Sequence, residues 1–159
     1  MTKLSDRFIL EEYVSEQVFN QHGSKSARFI CGTLVAASTQ LILDLENKYG
    51  RSISCTINNW KWGGQRVASG LRMAGTPYYS LTSAHAWGKG DDKQFKFKDG
   101  ERETIPTKEV YEFILDNQSH YYSLGIRRIE HIKDAPTWIH WDTIMTPNPI
   151  GEIRIVRAK

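Results

Sequence analysis

Two stretches that lie far apart in the sequence place the strongest constraint on what this chain can fold into. Residues 83–92 read SAHAWGKGDD, and the glycines between His85 and Asp92 allow the backbone to fold back on itself. Residues 138–142 read WIHWD, an alternating pattern that predicts a β-strand carrying His140. Two histidines and one carboxylate leave a coordination position open for water, as catalytic zinc sites require. We therefore expect His85, Asp92 and His140 to bind Zn²⁺.

The same residues also fit a simpler arrangement without a metal. A chain with five histidines can contain two that make hydrogen bonds alone. An aspartate that follows glycines is also a common turn residue. Spacing by itself leaves both interpretations open.

A family resemblance favours the metal site. The pattern Ser-x-His-x-x-Gly-x-small-x-Asp, followed later by an aromatic-Ile-His-x-Asp strand, resembles the zinc D-alanyl-D-alanine carboxypeptidases of the lysostaphin, D-Ala-D-Ala metallopeptidase and hedgehog group. Similar segments lie at 8–13, 69–72 and 124–129, and residues 58–64 look most like the phage-encoded branch. The likeness spans nearly the whole chain. It implies a hedgehog- or DD-peptidase-like fold and a zinc peptidase that hydrolyses peptidoglycan stem peptides, as a D,D-carboxypeptidase or endopeptidase.

The resemblance also implies roles for individual residues. The arginine of the family's Ser-Gly-x-Arg segment, here Arg72, binds a carboxylate or carbonyl oxygen of the substrate, and a planar guanidinium is suited to that contact. Packing of the Arg72 stem over its loop is the structural alternative. Asp92 has the family spacing for a metal ligand, and Asp91 beside it is the alternative carboxylate.

A general base is needed to move protons during peptide hydrolysis. Several relatives carry an acid or a histidine three positions before the last histidine ligand, where this chain has Thr137. The candidates are Asp142, which the strand pattern places on the same face as His140, and then Glu130 and His131. Asp142 is the first choice for a catalytic role, although it equally fits a carboxylate that holds a ligand imidazole in one tautomer. Thr137 favours the alternative function, a non-catalytic phage virion or cell-wall-binding component that retains the fold.

Hydrophobic periodicity predicts an α+β domain in which helices flank a small antiparallel sheet. The predicted helices cover about 10–20, 33–48 and 106–118, and the predicted strands lie near 53–57, 95–97, 126–132, 138–142 and 153–155. Residues 58–81 form a long glycine-rich connection, which we expect to be one wall of the cleft.

Length and composition set the remaining expectations. A chain of 159 residues with 40% hydrophobic and 25% charged residues fits a single domain, 1–159. Its net charge of +3 is dispersed, which argues against nucleic-acid binding, and no apolar run is long enough for a membrane span. The charged N-terminus lacks a signal-peptide core, so we expect synthesis in the cytoplasm. To act on the cell wall, the protein would then be carried there by a phage particle or released through membrane holes. No sequence feature fixes the oligomeric state or the bond that is cut.

Overall fold

The computed structural model describes residues 1–76, 78–100 and 103–157. This part of the chain has an α+β architecture in which helices flank a five-stranded sheet, as predicted. The α-helices are α1 (Leu10–Tyr13), α2 (Glu16–His22), α3 (Gly32–Tyr49), α4 (Thr107–Asp116) and α5 (Gln118–Ser123). The strands are β1 (Ile53–Thr56), β2 (Gly90–Phe97), β3 (Arg128–Glu130), β4 (Ile139–Asp142) and β5 (Arg154–Val156). Short 3₁₀ helices cover Gly23–Phe29, Trp60–Trp62 and Ala84–Trp87.

The sheet has the strand order β1-β2-β4-β3-β5. Its first three pairings are antiparallel, as predicted, but β5 runs parallel to β3. The parallel pair arises because the chain after β4 crosses to the far edge of β3. There β5 runs in the direction opposite to that of β4, and it is therefore parallel to β3. This route leaves β4, with His140, near the centre of the sheet.

One face of the sheet packs against α3 and α4. The apolar stripe of α3 is buried against strand residues such as Ile53, Ile129 and Trp141. Each large aliphatic or aromatic side chain buried in this way contributes about 1.5–3 kcal/mol. The core therefore holds β2 and β4 firmly from one side, and their alternate side chains point to the other side.

The first predicted helix is divided in two. Val14 is extended and bridges to Leu71, and Ser15 starts α2 by accepting a hydrogen bond from the Val18 amide at 3.3 Å. The apolar spacing continues across this break because Val14 and Val18 pack with Leu71 in a second small core. A serine at the N-cap stabilises the helix that it starts, which favours a new helix at this point. The break matters because it fixes the segment that precedes Arg72.

The third predicted helix also differs from the structure, since it ends at Asp116 and a separate helix, α5, continues to Ser123.

None of the helices in the described ranges is, by itself, both long and apolar enough to cross a membrane. The segments Glu16–Phe29 and Gly32–Tyr49 are long and apolar enough when taken together, and they meet at an angle of 84°.

Candidate metal centre

A cleft of about 1260 Å³ lies on the face of the sheet opposite α3. Part of its wall comes from the glycine-rich connection, as predicted, since residues 65–69, 72, 78 and 80 line it. Residue 77 of that connection lies outside the described ranges. The side chains on the cleft floor include His85, Asp92, Glu130, His140 and Asp142.

The structure brings together the three residues predicted to bind zinc. The Nδ1 atom of His140 lies 2.7 Å from Oδ1 of Asp92, and Nε2 of His85 lies 3.3 Å from the same oxygen. The two imidazoles approach at 3.2 Å between His85 Nε2 and His140 Nδ1. All three ligand atoms lie within 4.8 Å of one another, so the group could hold a metal ion.

His85 is positioned by a single turn of 3₁₀ helix. The hydroxyl of Ser83 accepts a hydrogen bond from the His85 amide at 3.3 Å, and the turn ends at Gly88, whose φ is 61°. A Cβ atom at Gly88 would lie 1.9 Å from the carbonyl oxygen of Phe29, so no other residue fits without movement. The backbone then enters β2 directly and carries Asp92 back beside His85, which explains the spacing between these residues.

The tautomer of His85 follows from its hydrogen bond. Its Nδ1 atom lies 2.9 Å from the carbonyl oxygen of Gly70. A carbonyl oxygen can only accept, so Nδ1 carries a proton and Nε2 is the ring nitrogen that faces Asp92 and His140. Metal coordination uses an unprotonated ring nitrogen, and Nε2 is the one placed for it.

Two carboxylates, those of Asp92 and Asp142, raise the pKa of His140. Burial lowers the pKa of the imidazole, but Asp142 and Asp92 outweigh burial and raise that pKa to about 10. Asp142 Oδ2 lies 3.6 Å from His140 Nε2, on the side of the ring away from Asp92. Burial raises the pKa of Asp92, yet the neighbouring histidines hold that pKa well below its usual range. Without a metal, the site therefore favours a cationic His140 beside an ionised Asp92.

Asp142 is fully buried and held by Arg128. The Nε and Nη2 atoms of Arg128 donate to Oδ1 and Oδ2 at 2.9 and 2.7 Å, and the Ile144 amide donates to Oδ1 at 3.0 Å. Burial raises the pKa of Asp142, but His140 and Arg128 outweigh burial and lower it. Such a two-point contact fixes the carboxylate in one orientation toward His140.

Arg72 lies in the cleft wall with its guanidinium directed at the ligand group. Its Nη2 atom donates to Asp92 Oδ2 at 3.0 Å, and its Nε atom donates to the Ala68 carbonyl oxygen. Arg72 therefore orients the oxygen of Asp92 that does not face the histidines. The predicted contact between Arg72 and a substrate carboxylate stays a prediction.

The two other candidate bases lie in different places. Glu130 lines the cleft and is half-buried, and burial raises the pKa of its carboxyl group. His131 follows it in the chain but does not line the cleft; its Nδ1 accepts a hydrogen bond from the Lys133 amide at 3.1 Å and its ring contacts Tyr111. The structure thus brings Glu130 to the site and leaves His131 away from it.

The ion pair between Asp91 and Lys93 is a buried contact that the sequence did not indicate. Both side chains are fully buried and form an ion pair on the α3 face of β2, where Ser38 donates to Asp91 at 3.1 Å. The Nζ atom of Lys93 lies 4.2 Å from the centre of the Trp141 ring. Asp91 therefore faces away from the histidines, and the alternative that it replaces Asp92 as a ligand is wrong. The two-residue period of a strand was the signal for this.

Arg128 is a second residue whose role the sequence did not indicate. It stands in register with Asp142 across β3 and β4, which explains their pairing.

No family model, curated protein or solved structure matches this chain.

Proposed function

We propose that the protein is a zinc-dependent peptidase that hydrolyses peptidoglycan stem peptides, as a D,D-carboxypeptidase or endopeptidase. The observation that carries this proposal is the convergence of His85 Nε2, His140 Nδ1 and Asp92 Oδ1 at the floor of an open cleft. The identity of the substrate rests on the sequence resemblance.

The chemistry of the donor set fits zinc. Two imidazole nitrogens and one carboxylate oxygen are typical protein ligands of a catalytic zinc ion, which keeps a further position for water or substrate. Zinc bound by these residues would polarise a scissile carbonyl and make a water molecule more acidic.

The surrounding residues are arranged to support the three ligands. Gly70 fixes the tautomer of His85, Arg72 orients Asp92, and Asp142 faces the far nitrogen of His140. Carboxylates and carbonyl oxygens that hold ligand histidines in this way raise metal affinity. A set of three donors with three separate supports is better explained by metal binding than by hydrogen bonding alone.

The charge of the cleft suits a peptide with free carboxylates. Five arginines line it against three acidic side chains, and Asp92 and Asp142 are each already paired with an arginine. The remaining cationic side chains at the edge include Arg154, which is exposed. A positive cleft raises the local concentration of an anionic substrate.

Digestion of purified peptidoglycan, followed by mass spectrometry of the released muropeptides, tests the proposed function. We expect the wild-type protein to cut the stem peptide, the His140→Ala variant to be inactive, and the His131→Ala variant to keep wild-type activity. His131 is the matched control because it is a histidine of the same sheet region outside the cleft. Peptidoglycan that stays uncut after treatment with zinc-loaded wild-type protein would contradict the proposal.

Thr137 supports a second candidate, a non-catalytic phage virion or cell-wall-binding component that keeps the same fold. This residue stands where several members of the resembling group carry an acid or a histidine. On this alternative the protein would sediment with purified peptidoglycan but release no muropeptide, and His140→Ala would not change the bound fraction.

A further inference from the structure

Glu130 stands beside the ligand group in the sheet. In the β3–β4 ladder, Arg128 is opposite Asp142 and Ile129 is opposite Trp141, so the antiparallel register puts Glu130 level with His140. Asp92 lies opposite His140 on its other side. Side chains alternate along a strand, so Glu130 shares the cleft face with Arg128. Asp92, His140 and Glu130 thus form one row across three neighbouring strands.

The carboxylate of Glu130 is not engaged as the other acids of the cleft are. Asp92 is bound by Arg72 and both histidines, and Asp142 is bound by Arg128. Within the described ranges, no side-chain hydrogen bond or ion pair holds Glu130, although it is half-buried in the cleft lining. A half-buried acid without a fixed partner is free to exchange protons with a bound molecule.

We infer that Glu130 is the catalytic residue that transfers the proton in the peptide hydrolysis proposed above, and this inference rests on that proposed function. Its carboxylate takes one proton from the attacking water as the new C–O bond forms at the scissile carbonyl. It then gives that proton to the amide nitrogen as the C–N bond breaks. The products are a carboxylic acid and an amine, and water is the sole co-reactant.

The other candidates are less suited to this transfer. Asp142 is fully buried behind His140 and receives hydrogen bonds from Arg128 and the Ile144 amide. His131 does not line the cleft. Proximity to the reacting atoms decides between candidate bases before their acidity does. Glu130 is the acid of the cleft that combines an unengaged carboxylate with a position beside a ligand.

The test compares Glu130→Gln with Asp142→Asn and with Glu152→Gln, an exposed acid that does not line the cleft. Zinc per chain is measured by elemental mass spectrometry, and kcat and KM are measured with a soluble pentapeptide ending in D-alanyl-D-alanine and with purified peptidoglycan. We expect E130Q to keep about one zinc per chain and a KM within about threefold of wild type, while kcat falls by about 10²- to 10⁴-fold. E152Q should match the wild type in every measurement. D142N should instead lose zinc affinity, by about 10- to 100-fold.

The possible failures are distinguishable. If wild-type protein binds zinc but cuts neither substrate, the proposed function falls and this inference falls with it. If wild-type protein is active and E130Q keeps kcat within about threefold, the role of Glu130 alone is overturned. If E130Q loses its zinc, Glu130 acts by holding the metal site, which also overturns the inference.

Discussion

Nδ1 of His140 lies 2.7 Å from Oδ1 of Asp92, across the adjacent strands β4 and β2. The contact places two of the candidate ligand atoms on rigid neighbouring strands, while His85 joins them from a short turn that Gly88 permits. Sites built on sheet strands hold their ligands more precisely than loops do.

Replacement of Arg72 should weaken the metal site. Arg72→Gln removes the guanidinium that donates to Asp92 Oδ2 at 3.0 Å, so Asp92 loses its fixed orientation. We expect zinc affinity to fall by about 10- to 100-fold. Chelator competition measures the affinity, and Arg157→Gln is the control because Arg157 lines the same cleft but pairs with Asp134. Equal affinities for R72Q and wild type would show that Arg72 does not support the ligand.

Gly88→Ala should destabilise the protein more than a positive φ alone explains. The new Cβ would lie 1.9 Å from the Phe29 carbonyl oxygen, whereas a Cβ at Gly63, which also has positive φ, would meet nothing within 4 Å. We expect G63A to lower the free energy of unfolding by about 1 kcal/mol and G88A by at least about 2–3 kcal/mol. Urea denaturation of both variants measures the difference. Equal losses would mean that the close approach at Gly88 is relieved without cost.

Loss of one partner of the buried pair should be costly. Lys93→Met leaves the charge of Asp91 in the core beside the Ser38 hydroxyl, and we expect a loss of about 3–5 kcal/mol. The double variant Asp91→Asn, Lys93→Met should lose less than the sum of the two single variants, because neither charge is left alone. Denaturation of all three variants gives the coupling energy. Additive losses would contradict an interacting pair.

Stability should depend on pH through Glu12. Burial raises the pKa of Glu12 to about 7, aided by the nearby Glu11 and opposed by the Ile9 amide, from an ordinary value of 4.5. A raised carboxyl pKa gives stability that is present below about pH 4.5 and lost as the pH rises through about 7.

The variant Glu12→Gln lacks this titration but keeps an oxygen that can accept from Ile9. Between pH 4 and 8, its free energy of unfolding should therefore rise relative to wild type, by about 1–3 kcal/mol. Thermal unfolding over this pH range measures the trend, and the exposed Glu16→Gln serves as the control. A constant difference between E12Q and wild type across the range would contradict the expectation.

Much of the ligand geometry could be predicted because it depends on local rules. The two-residue period of β4 put His140 and Asp142 on one face, and the glycines before Asp92 allowed the turn that brings His85 back. The same period applied to β2 would also have separated Asp91 from Asp92, since adjacent residues of a strand point to opposite faces.

The supporting contacts could not be predicted from local patterns. The pairing of Arg72 with Asp92 joins a loop to a strand, and the pairing of Arg128 with Asp142 depends on which strands are neighbours. The parallel β5 likewise depends on the path of the chain around β3. The break at Ser15 was hidden because the apolar spacing continues across it into a second core.

The proposed function depends on the claim that His85, Asp92 and His140 form a zinc site. Elemental mass spectrometry of protein purified without added metal or a histidine tag measures the zinc content, with His85→Ala and His131→Ala prepared in parallel. We expect about one zinc per chain in wild type and H131A and a large loss in H85A, because a structural or catalytic zinc site needs its full ligand set. Zinc-free wild-type protein, even after exposure to the metal, or equal zinc in H85A, would contradict the claim.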